Sequence, residues 1–222
     1  MRYNELTFQG RNAVLEAFRS GKTIDKLFIL DGCQDGPIKS IVREAKKTDA
    51  IINYVDKERL DRLAGTGHHQ GVVAIGAAYE YAEVEDILAA AKEKGEDPFI
   101  FILDEIEDPH NLGAIIRTAN LAGAHGVIIP KRRAVGLTAT VAKTSAGAIN
   151  YTPVAKVTNI SQTIEELKKQ GLWFVCADMG GETMYNLNLK GPIGLVIGNE
   201  GNGVSRLVKD KCDFINSYEG RY

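Results

Sequence analysis

Short apolar runs and amphipathic segments alternate through the first 76 residues of the chain. Continuous apolar runs predict strands, and apolar positions spaced three and four residues apart predict helices. The predicted elements are a turn and helix over 8–18, a strand over 26–30, a helix over 36–47, a strand over 51–55, a short helix over 57–63 and a strand ending at 76. This alternation predicts a small α/β/α domain, in which a sheet lies between two helical layers.

A second series of strands and helices begins at residue 99. Its first helix is expected to begin near Asn111, a good N-cap residue, and to end at Gly123. The apolar stripe of this helix comprises Leu112, Ile115, Ile116, Ala119 and Ala122. Gly113, Arg117 and Asn120 are expected on another face, where an arginine beside small residues has room for a partner. A solvent-facing arginine is the alternative.

The remaining elements of this second region follow the same pattern. Strands are predicted at 99–103, 126–130, 172–178 and 193–197, helices at 160–169 and 204–211, and a last strand fragment at 214–215. The run 193–197 is apolar throughout, which is typical of a buried parallel strand. A charged connector with one amphipathic helix, roughly over 84–92, separates the two regions. We therefore predict domains at 1–78 and 98–222, joined by a linker at 79–97.

Composition narrows the class of protein. The 222 residues are 44% hydrophobic and 25% charged, with a net charge of −2, so a nucleic-acid partner would have to be met by local basic patches. The three cysteines are widely spaced and follow no disulfide or zinc pattern, which favours a cytoplasmic protein. No apolar run approaches the ~20 residues of a membrane span, so we expect no membrane partner.

Glycines follow the apolar strand 193–197 in the sequence Gly198-Asn199-Glu200-Gly201-Asn202-Gly203. Glycines at a strand end let the backbone approach a ligand closely, and ligands of open α/β sheets bind at the carboxyl ends of the strands. The alternative is that these glycines only turn a strand into a helix. The order G-x-x-G-x-G is not the dinucleotide fingerprint, and no Gly-Lys-Ser/Thr follows, so the loop is not a P-loop.

Three further polar stretches are candidates for ligand contact. Arg11 and Asn12 lie at an exposed helix start, where they either meet a phosphate or form an ordinary cap. His69 lies with His68 on a glycine-rich loop that either contacts substrate or caps a strand. No further ligand is spaced for a metal, so we expect none. Residues 131–133, Lys-Arg-Arg, form the strongest basic cluster, which either meets RNA phosphates or is a solvated turn.

Several of these stretches together resemble one protein family. Three stretches resemble motifs of the SpoU group of 2′-O-ribose RNA methyltransferases, in the SPOUT superfamily with its trefoil knot. They are Asn111-Leu112-Gly113-Ala114-Ile115-Ile116-Arg117-Thr118-Ala119, Ser145-Ala146-Gly147-Ala148 and Ile197-Gly198-Asn199-Glu200-Gly201-Asn202-Gly203. Gly10-Arg11-Asn12-Ala13-Val14 and His69-Gln70-Gly71-Val72-Val73-Ala74 resemble that group's ribosomal-protein-like RNA-binding domain. The chain looks most similar to the bacterial members that modify a guanosine of large-subunit ribosomal RNA.

The resemblance implies a reaction and a set of roles. S-adenosylmethionine would methylate a ribose 2′-hydroxyl of RNA, without a metal. Arg117 would anchor a phosphate and stabilise the developing alkoxide, and Asn111 would position Arg117 or the ribose. Glu200 would orient the hydroxyl or Arg117; the alternative is that Glu200 only caps the helix that follows. The donor would be held by Ile197, Gly198, Asn199, Ala177 and Asp178. RNA would be contacted by Arg11, Asn12, His69, Gln70, Lys131 and Arg132.

The resemblance also carries an expectation about assembly. Family members are homodimers whose active site is completed across the interface. After residue 215 the family continues into a third motif that threads the knot, and the sequence 216–222 does not match it. We therefore expect an incomplete knot and a weakened homodimer. The alternative function is a non-catalytic RNA-binding protein whose methyltransferase-like domain lacks a complete donor pocket.

Overall fold

The computed structural model describes residues 6–65 and 67–217, which form two compact units. Unit 1 comprises the described residues up to Glu80 together with 136–140, and unit 2 comprises the rest, from Tyr81 onward. Each unit has its own sheet and its own buried core.

Unit 1 contains a four-stranded mixed sheet. Its elements are β1 (Leu6–Gln9), α1 (Arg11–Arg19), β2 (Ile24–Leu30), α2 (Gly36–Ala45), β3 (Ile51–Val55), α3 (Lys57–Ala64) and β4 (Val72–Gly76). The strand order is β1-β4-β2-β3, with β2 and β3 parallel and the two pairings of β4 antiparallel. The predicted helices and strands of this region are therefore present.

Alternate residues of β2 explain the two helical layers of unit 1. Leu27 and Ile29 are buried in a cluster with residues of α1 and α2, whereas Phe28 is buried with Leu60 of α3. Successive side chains of a strand point to opposite faces, so the sheet has one helical layer on each side. This confirms the predicted α/β/α arrangement.

Unit 2 contains a six-stranded sheet in which every pairing is parallel. Its elements are α4 (Val84–Lys94), β5 (Phe99–Leu103), α5 (Pro109–Leu121), β6 (Gly126–Pro130), α6 (Ala139–Thr144), β7 (Val154–Val157), α7 (Ile160–Lys169), β8 (Trp173–Thr183), β9 (Ile193–Ile197), α8 (Arg206–Lys209) and β10 (Phe214–Ser217). The first two residues of α6 are counted with unit 1. Short 3-10 turns lie at Ala148–Asn150 and Met184–Asn186. The strand order is β10-β8-β9-β5-β6-β7.

One face of this sheet forms the larger core of unit 2. Ile100, Ile102 and Val196 are buried with apolar residues of α4, α7 and α8. Helix α4 lies in the segment predicted as a linker, and its Ile87 is fully buried in this core. Helix α4 is therefore packed as part of unit 2.

Helix α5 differs in detail from its sequence prediction. Its N-cap is Asp108, whose Oδ1 accepts hydrogen bonds from the backbone N–H groups of His110 (2.6 Å) and Asn111 (3.0 Å). The prediction of Asn111 as N-cap was wrong because Pro109, with φ already fixed at a helical value, starts the helix three residues earlier than that cap would. Ala122, predicted in the apolar stripe, is exposed beyond the helix end.

Gly113 lies one helical turn before Arg117, on the predicted side of α5, but it is covered by α6. It is buried, and a Cβ built at this position would lie 1.9 Å from Oγ1 of Thr144. Gly113 therefore lets α5 approach α6 closely, whereas Arg117, one turn further along, is exposed. Helix α8 is also shorter than predicted, because residues 204 and 205 belong to the preceding loop.

Candidate functional site

A cleft of unit 2 is lined by residues of three neighbouring strands, β9, β8 and β10, and by the loop that follows β9. Ile197 of β9 pairs in register with Leu103 of β5 on one side and with Ala177 of β8 on the other. Strands β5 and β9 both end at this row, whereas β8 continues beside β10 to Thr183. In a parallel sheet this is the edge where ligands bind.

The glycine loop (residues 198–203) follows β9 and folds back on itself. The backbone N–H of Asn199 donates to the carbonyl of Gly203 (3.0 Å), and the N–H of Gly203 donates to the carbonyl of Asn199 (2.8 Å). A Cβ on Gly198 would lie 2.1 Å from the carbonyl carbon of Gly203 and 2.2 Å from the nitrogen of Val204. The loop can close only because residue 198 has no side chain.

Two side chains fasten the glycine loop to the end of β5. Nδ2 of Asn199 donates to the carbonyl of Glu105 (3.0 Å), and Oδ1 of Asn199 accepts from the N–H of Gly201 (2.8 Å). Asp104 is 5% exposed and accepts a 2.7 Å hydrogen bond from the N–H of Ser205. Both ends of the loop are therefore fixed.

The strand-end cleft has a volume of about 550 Å³. Its lining comprises residues 197–203, Ala177, Asp178 and Asn216. All five residues predicted to hold a donor line this one cleft: Ile197, Gly198, Asn199, Ala177 and Asp178. The lining is mainly backbone and small polar side chains, which suits a ligand rich in hydrogen-bonding groups.

Charged and polar groups at the cleft are partly engaged within the protein. Nζ of Lys209 donates to Oδ2 of Asp178 at 2.5 Å, and this hydrogen bond raises the pKa of the Lys209 ammonium. Oδ1 of Asn216 is buried, and among the described residues it has no hydrogen-bond partner. A buried unpaired acceptor costs free energy unless a ligand or water satisfies it.

Helix α5 brings one predicted catalytic residue to the glycine loop. Nδ2 of Asn111 donates to Oε2 of Glu200 at 3.2 Å, although 89 residues separate the two in sequence. The N-cap of the following helix is Ser205, so capping is not the role of Glu200. The first and second motifs of the family resemblance thus meet at one point.

Arg117 does not join this contact. Its side chain is exposed, and within residues 6–65 and 67–217 no hydrogen bond or ion pair of the guanidinium is found. Residues six apart lie on different sides of a helix, which separates Arg117 from Asn111 around α5. The expectation that Asn111 or Glu200 orients Arg117 directly is therefore not met in this single chain.

The basic cluster at residues 131–133 follows the carboxyl end of β6. Arg132 and Arg133 are exposed, and Lys131 is half-buried. Nη1 of Arg133 donates to Oε1 of Glu105 at 2.9 Å, and this contact raises the pKa of the arginine. Arg132 remains the most available cation of the three for a phosphate.

Unit 1 brings two of its predicted RNA-contacting residues together. The backbone N–H of Arg11 donates to Oε1 of Gln70 (3.1 Å), and Nε of Arg11 donates to the carbonyl of Gln70 (3.2 Å). The guanidinium also forms an ion pair with Asp35. Asn12 is exposed beside them at the start of α1. These contacts hold Arg11 in one orientation at the surface of unit 1.

His69 is placed differently from the other predicted RNA contacts. It is 5% exposed; Nδ1 accepts from the N–H of Gly71 (2.9 Å), and Nε2 lies 2.8 Å from Oδ1 of Asp61. Because Nδ1 is an acceptor, the ring proton is on Nε2 and is donated to Asp61. Both ring nitrogens are engaged within the protein, so the structure favours the strand-capping alternative over substrate contact.

Sequence reasoning missed two residues of the strand-end cleft and its supports. Asp104 is the first polar residue after the apolar strand 99–103, and this position was the available signal for it. Asn216 follows a strand fragment with no local motif, so no sequence signal identified it.

No group of three or more potential metal ligands occurs in the part of the chain that the structure describes. No helix there has the length and apolar character that crossing a membrane requires.

The fold and the site define an α/β protein with a ligand cleft at the carboxyl ends of a parallel sheet, joined to a separate mixed-sheet unit. Residues 98–218 match the family model described as SpoU rRNA Methylase family, and residues 9–82 match the model for RNA 2′-O ribose methyltransferase substrate binding. The first match covers more than half of the chain. The chain belongs to the SpoU rRNA methylase family, as the sequence motifs predicted.

Bacterial relatives are similar over nearly the whole chain. The "Putative TrmH family tRNA/rRNA methyltransferase YacO" of Bacillus subtilis is 53% identical over 207 residues, which cover 93% of this chain and 83% of that protein. A relative with the same family name from Staphylococcus haemolyticus is 48% identical over 211 residues, covering 95% of this chain and 84% of its own length.

Solved structures share the fold. The SpoU methyltransferase AviRb of Streptomyces viridochromogenes, solved with AdoMet, has a TM-score of 0.58 at 21% identity and covers 98% of this chain and 82% of its own. An AdoMet-bound rRNA methyltransferase from Sinorhizobium meliloti has a TM-score of 0.54 at 20% identity and covers 97% and 79% of the two chains. The predicted fold class is confirmed.

Proposed function

We propose that this protein transfers a methyl group from S-adenosylmethionine to a ribose 2′-hydroxyl of RNA, with ribosomal RNA as its substrate. The observation that carries the proposal is the contact between Asn111 and Glu200 at the rim of the strand-end cleft. It joins the two motifs of the family in one site. The match of residues 9–82 to a substrate-binding model for RNA 2′-O ribose methyltransferases supports RNA as the acceptor.

The residues of the cleft fit S-adenosylmethionine, the donor contained in the AviRb structure. The missing side chain at Gly198 leaves backbone groups of the loop open to a ligand, and the buried Oδ1 of Asn216 is an acceptor for an N–H group. Ile197, Asn199, Ala177 and Asp178 would complete the contacts. When bound, this donor supplies an electrophilic methyl group beside a positively charged sulfur.

The acceptor hydroxyl requires help from the protein. A ribose 2′-hydroxyl is a weak nucleophile at neutral pH, so it must be positioned and stabilised as it loses its proton. In our proposal Asn111 and Glu200 orient the hydroxyl, and its oxygen forms the new bond to carbon as the carbon–sulfur bond breaks. The hydroxyl proton leaves to solvent.

Arg117 is the residue to which we assign stabilisation of the developing negative charge. A guanidinium stays protonated in proteins and binds phosphate through a planar fork of donors. The side chain is exposed and has no partner among the described residues, so it is available to a backbone phosphate of RNA or to the site of a second copy. Preorganised charge near a developing alkoxide is a large catalytic term.

We further propose that the protein acts as a homodimer. Two large side chains near Arg117 are exposed: Leu121 to 82% and Tyr151 to 80%. The residues next to them in sequence, Asn120 and Thr152, are joined by a 3.1 Å hydrogen bond, so the two exposed side chains lie close together. Large exposed apolar side chains close together favour an interaction surface. Sedimentation of the chain at micromolar concentrations tests this, and a purely monomeric species would contradict it.

Contacts to RNA would come from both units. Arg11 with Gln70 and the neighbouring Asn12 present donors at the surface of unit 1, and Arg132 and Lys131 do so on unit 2. Such phosphate contacts weaken steeply with salt. His69 would act indirectly, because its ring holds the loop that carries Gln70.

The test is transfer of a radiolabelled methyl group from S-adenosylmethionine to transcripts of large-subunit ribosomal RNA and of transfer RNA. We expect label in the ribosomal transcript, loss of at least ~100-fold for Arg117→Ala as for other charge-stabilising donors, and unchanged transfer for Arg19→Ala, an exposed arginine of unit 1. Label only in transfer RNA would refute the ribosomal substrate. RNA binding without donor binding would support the non-catalytic alternative.

A further inference from the structure

A second groove lies in unit 1 between α2 and the edge strand β3, and the function proposed above does not use it. Its volume is about 420 Å³. Its lining includes Cys33, Lys39, Val42, Arg43, Lys46 and Tyr54. We call this the α2–β3 groove. It is a feature of unit 1 alone and is separate from the strand-end cleft of unit 2.

The cations of the groove form one stripe along α2. Lys39, Arg43 and Lys46 are spaced by four and three residues, which places them on one side of the helix. Ile38, Ile41 and Ala45 of the same helix are buried in the core of unit 1. The stripe therefore faces away from the core, and all three cations are exposed.

Neighbouring carboxylates neutralise this stripe only in part, through one long ion pair of Arg43. Glu44 is the nearest candidate, and it lies 3.9 Å from Nε of Arg43 but 2.8 Å from Nζ of Lys47. The hydrogen bond from Lys47 lowers the pKa of Glu44. In the described part of the chain, no ion pair of Lys39 or Lys46 is found, and no carboxylate lines the groove. The groove is thus open to an anion.

An aromatic ring lies beside these cations. Tyr54 is 56% exposed on β3, the edge strand of the four-stranded sheet, while the next residue, Val55, is buried. An exposed tyrosine next to several cations is the combination that proteins use for unpaired nucleic acid. The ring stacks on a base and the cations bind the phosphates on either side.

We propose that the α2–β3 groove binds an unpaired nucleotide of the RNA substrate, with its base on Tyr54 and the adjoining phosphates on Lys39, Arg43 and Lys46. This inference rests on the proposed function, since it takes the substrate to be RNA. A groove of this volume suits one nucleotide and is too small for a duplex.

The path of the RNA is given by the loop that precedes α2. Asp35 caps α2 through a 3.1 Å hydrogen bond from the N–H of Ile38, and it forms the ion pair with Arg11. Cys33, in the lining of the groove, lies 4.0 Å from Nη2 of Arg11. RNA held at Arg11 therefore continues directly into the groove. The groove would select substrates with an unpaired base at a fixed distance from the Arg11 contact.

The test is fluorescence anisotropy of a short labelled unstructured RNA with the full chain, across a series of salt concentrations. Tyr54→Ala should weaken binding about 5- to 150-fold, whereas Tyr54→Phe should keep it, because stacking needs only the ring. The triple variant Lys39→Gln, Arg43→Gln, Lys46→Gln should lower the slope of log affinity against log salt by about 2. The matched control changes three exposed cations of helix α3, on the other side of the sheet: Lys57→Gln, Arg59→Gln, Arg62→Gln.

The outcomes separate this inference from the proposed function. Equal loss of slope in the two triple variants, or tight binding by Tyr54→Ala, would overturn the groove while leaving an RNA substrate in place. Absence of RNA binding by the unaltered chain at low salt would overturn both. Competition by the same RNA in duplex form as strong as by the single strand would also overturn the groove. Matching thermal unfolding curves establish that the variants are folded.

Discussion

Gly198 provides the sharpest test of the strand-end cleft. In Gly198→Ala the new Cβ would meet the carbonyl carbon and oxygen of Gly203 at 2.1 and 2.2 Å and the nitrogen of Val204 at 2.2 Å. These are backbone atoms and cannot rotate away, so the loop must open by more than an ångström. The two hydrogen bonds between Asn199 and Gly203 would then be lost or stretched.

The expected magnitude follows from these contacts. Two backbone hydrogen bonds contribute about 1–3 kcal/mol together, and an overpacked methyl group costs about 1–3 kcal/mol more. If a donor must restore the closed loop on binding, even ~2 kcal/mol weakens its affinity about 30-fold. The free energy of unfolding should fall by less, because the loop can open locally without disturbing the sheet.

The assay is calorimetric titration with S-adenosylmethionine, and the same loop offers a matched control. A Cβ on Gly201 would lie 3.5 Å from Oδ1 of Asn199, an ordinary contact, so Gly201→Ala should bind like the unaltered chain. Equal affinities for Gly198→Ala and Gly201→Ala would contradict this prediction, because they would show that closure of the loop does not shape the donor site.

Three further predictions follow from contacts elsewhere in unit 2. Arg117→Ala should abolish methyl transfer but leave donor affinity within about threefold, because the Arg117 side chain is exposed outside the cleft. Calorimetry and label transfer on the same sample measure the two effects. Asn111→Asp should reduce methyl transfer, because it sets the carboxylates of residues 111 and 200 about 3.2 Å apart. Adding Glu200→Gln to the same chain should restore methyl transfer. Absence of this rescue would contradict the assigned contact. The Cys212 thiol donates to the sulfur of Cys176, and this contact together with burial raises the pKa of Cys212. At about pH 8, iodoacetamide should therefore modify Cys33 well before Cys212. Mass spectrometry that showed the reverse order would count against this environment of Cys212.

Local sequence pattern predicted most of the fold because the buried positions are periodic. The strand 99–103 and the strand 193–197 are found with the predicted bounds, since both are uninterrupted apolar runs in a parallel sheet. The predicted helix boundaries were wrong where a capping residue, rather than the spacing of apolar residues, determined the helix end. Asp108 followed by Pro109 starts α5 three residues earlier than Asn111 would, and such a shift at a helix end is decided by one or two hydrogen bonds.

The candidate site was predictable in its residues but not in all of its contacts. The glycine spacing identified the loop after β9, yet only the register of β5, β9 and β8 places Asp178 and Asn199 in one cleft. The contact between Asn111 and Glu200 joins residues 89 apart, which no local pattern encodes. Burial of His69 could not be predicted either, because it depends on Asp61 from a neighbouring helix.

Alkaline cleavage directly tests whether the protein methylates the ribose rather than a base. A 2′-hydroxyl is required for alkaline cleavage of the adjoining phosphodiester bond, so a methylated ribose blocks cleavage at that nucleotide. After incubation of a large-subunit ribosomal RNA transcript with the protein and S-adenosylmethionine, we expect one gap in the alkaline ladder, and no gap with Arg117→Ala. A full ladder from RNA that has taken up labelled methyl groups would contradict it, because the methyl would then be on a base.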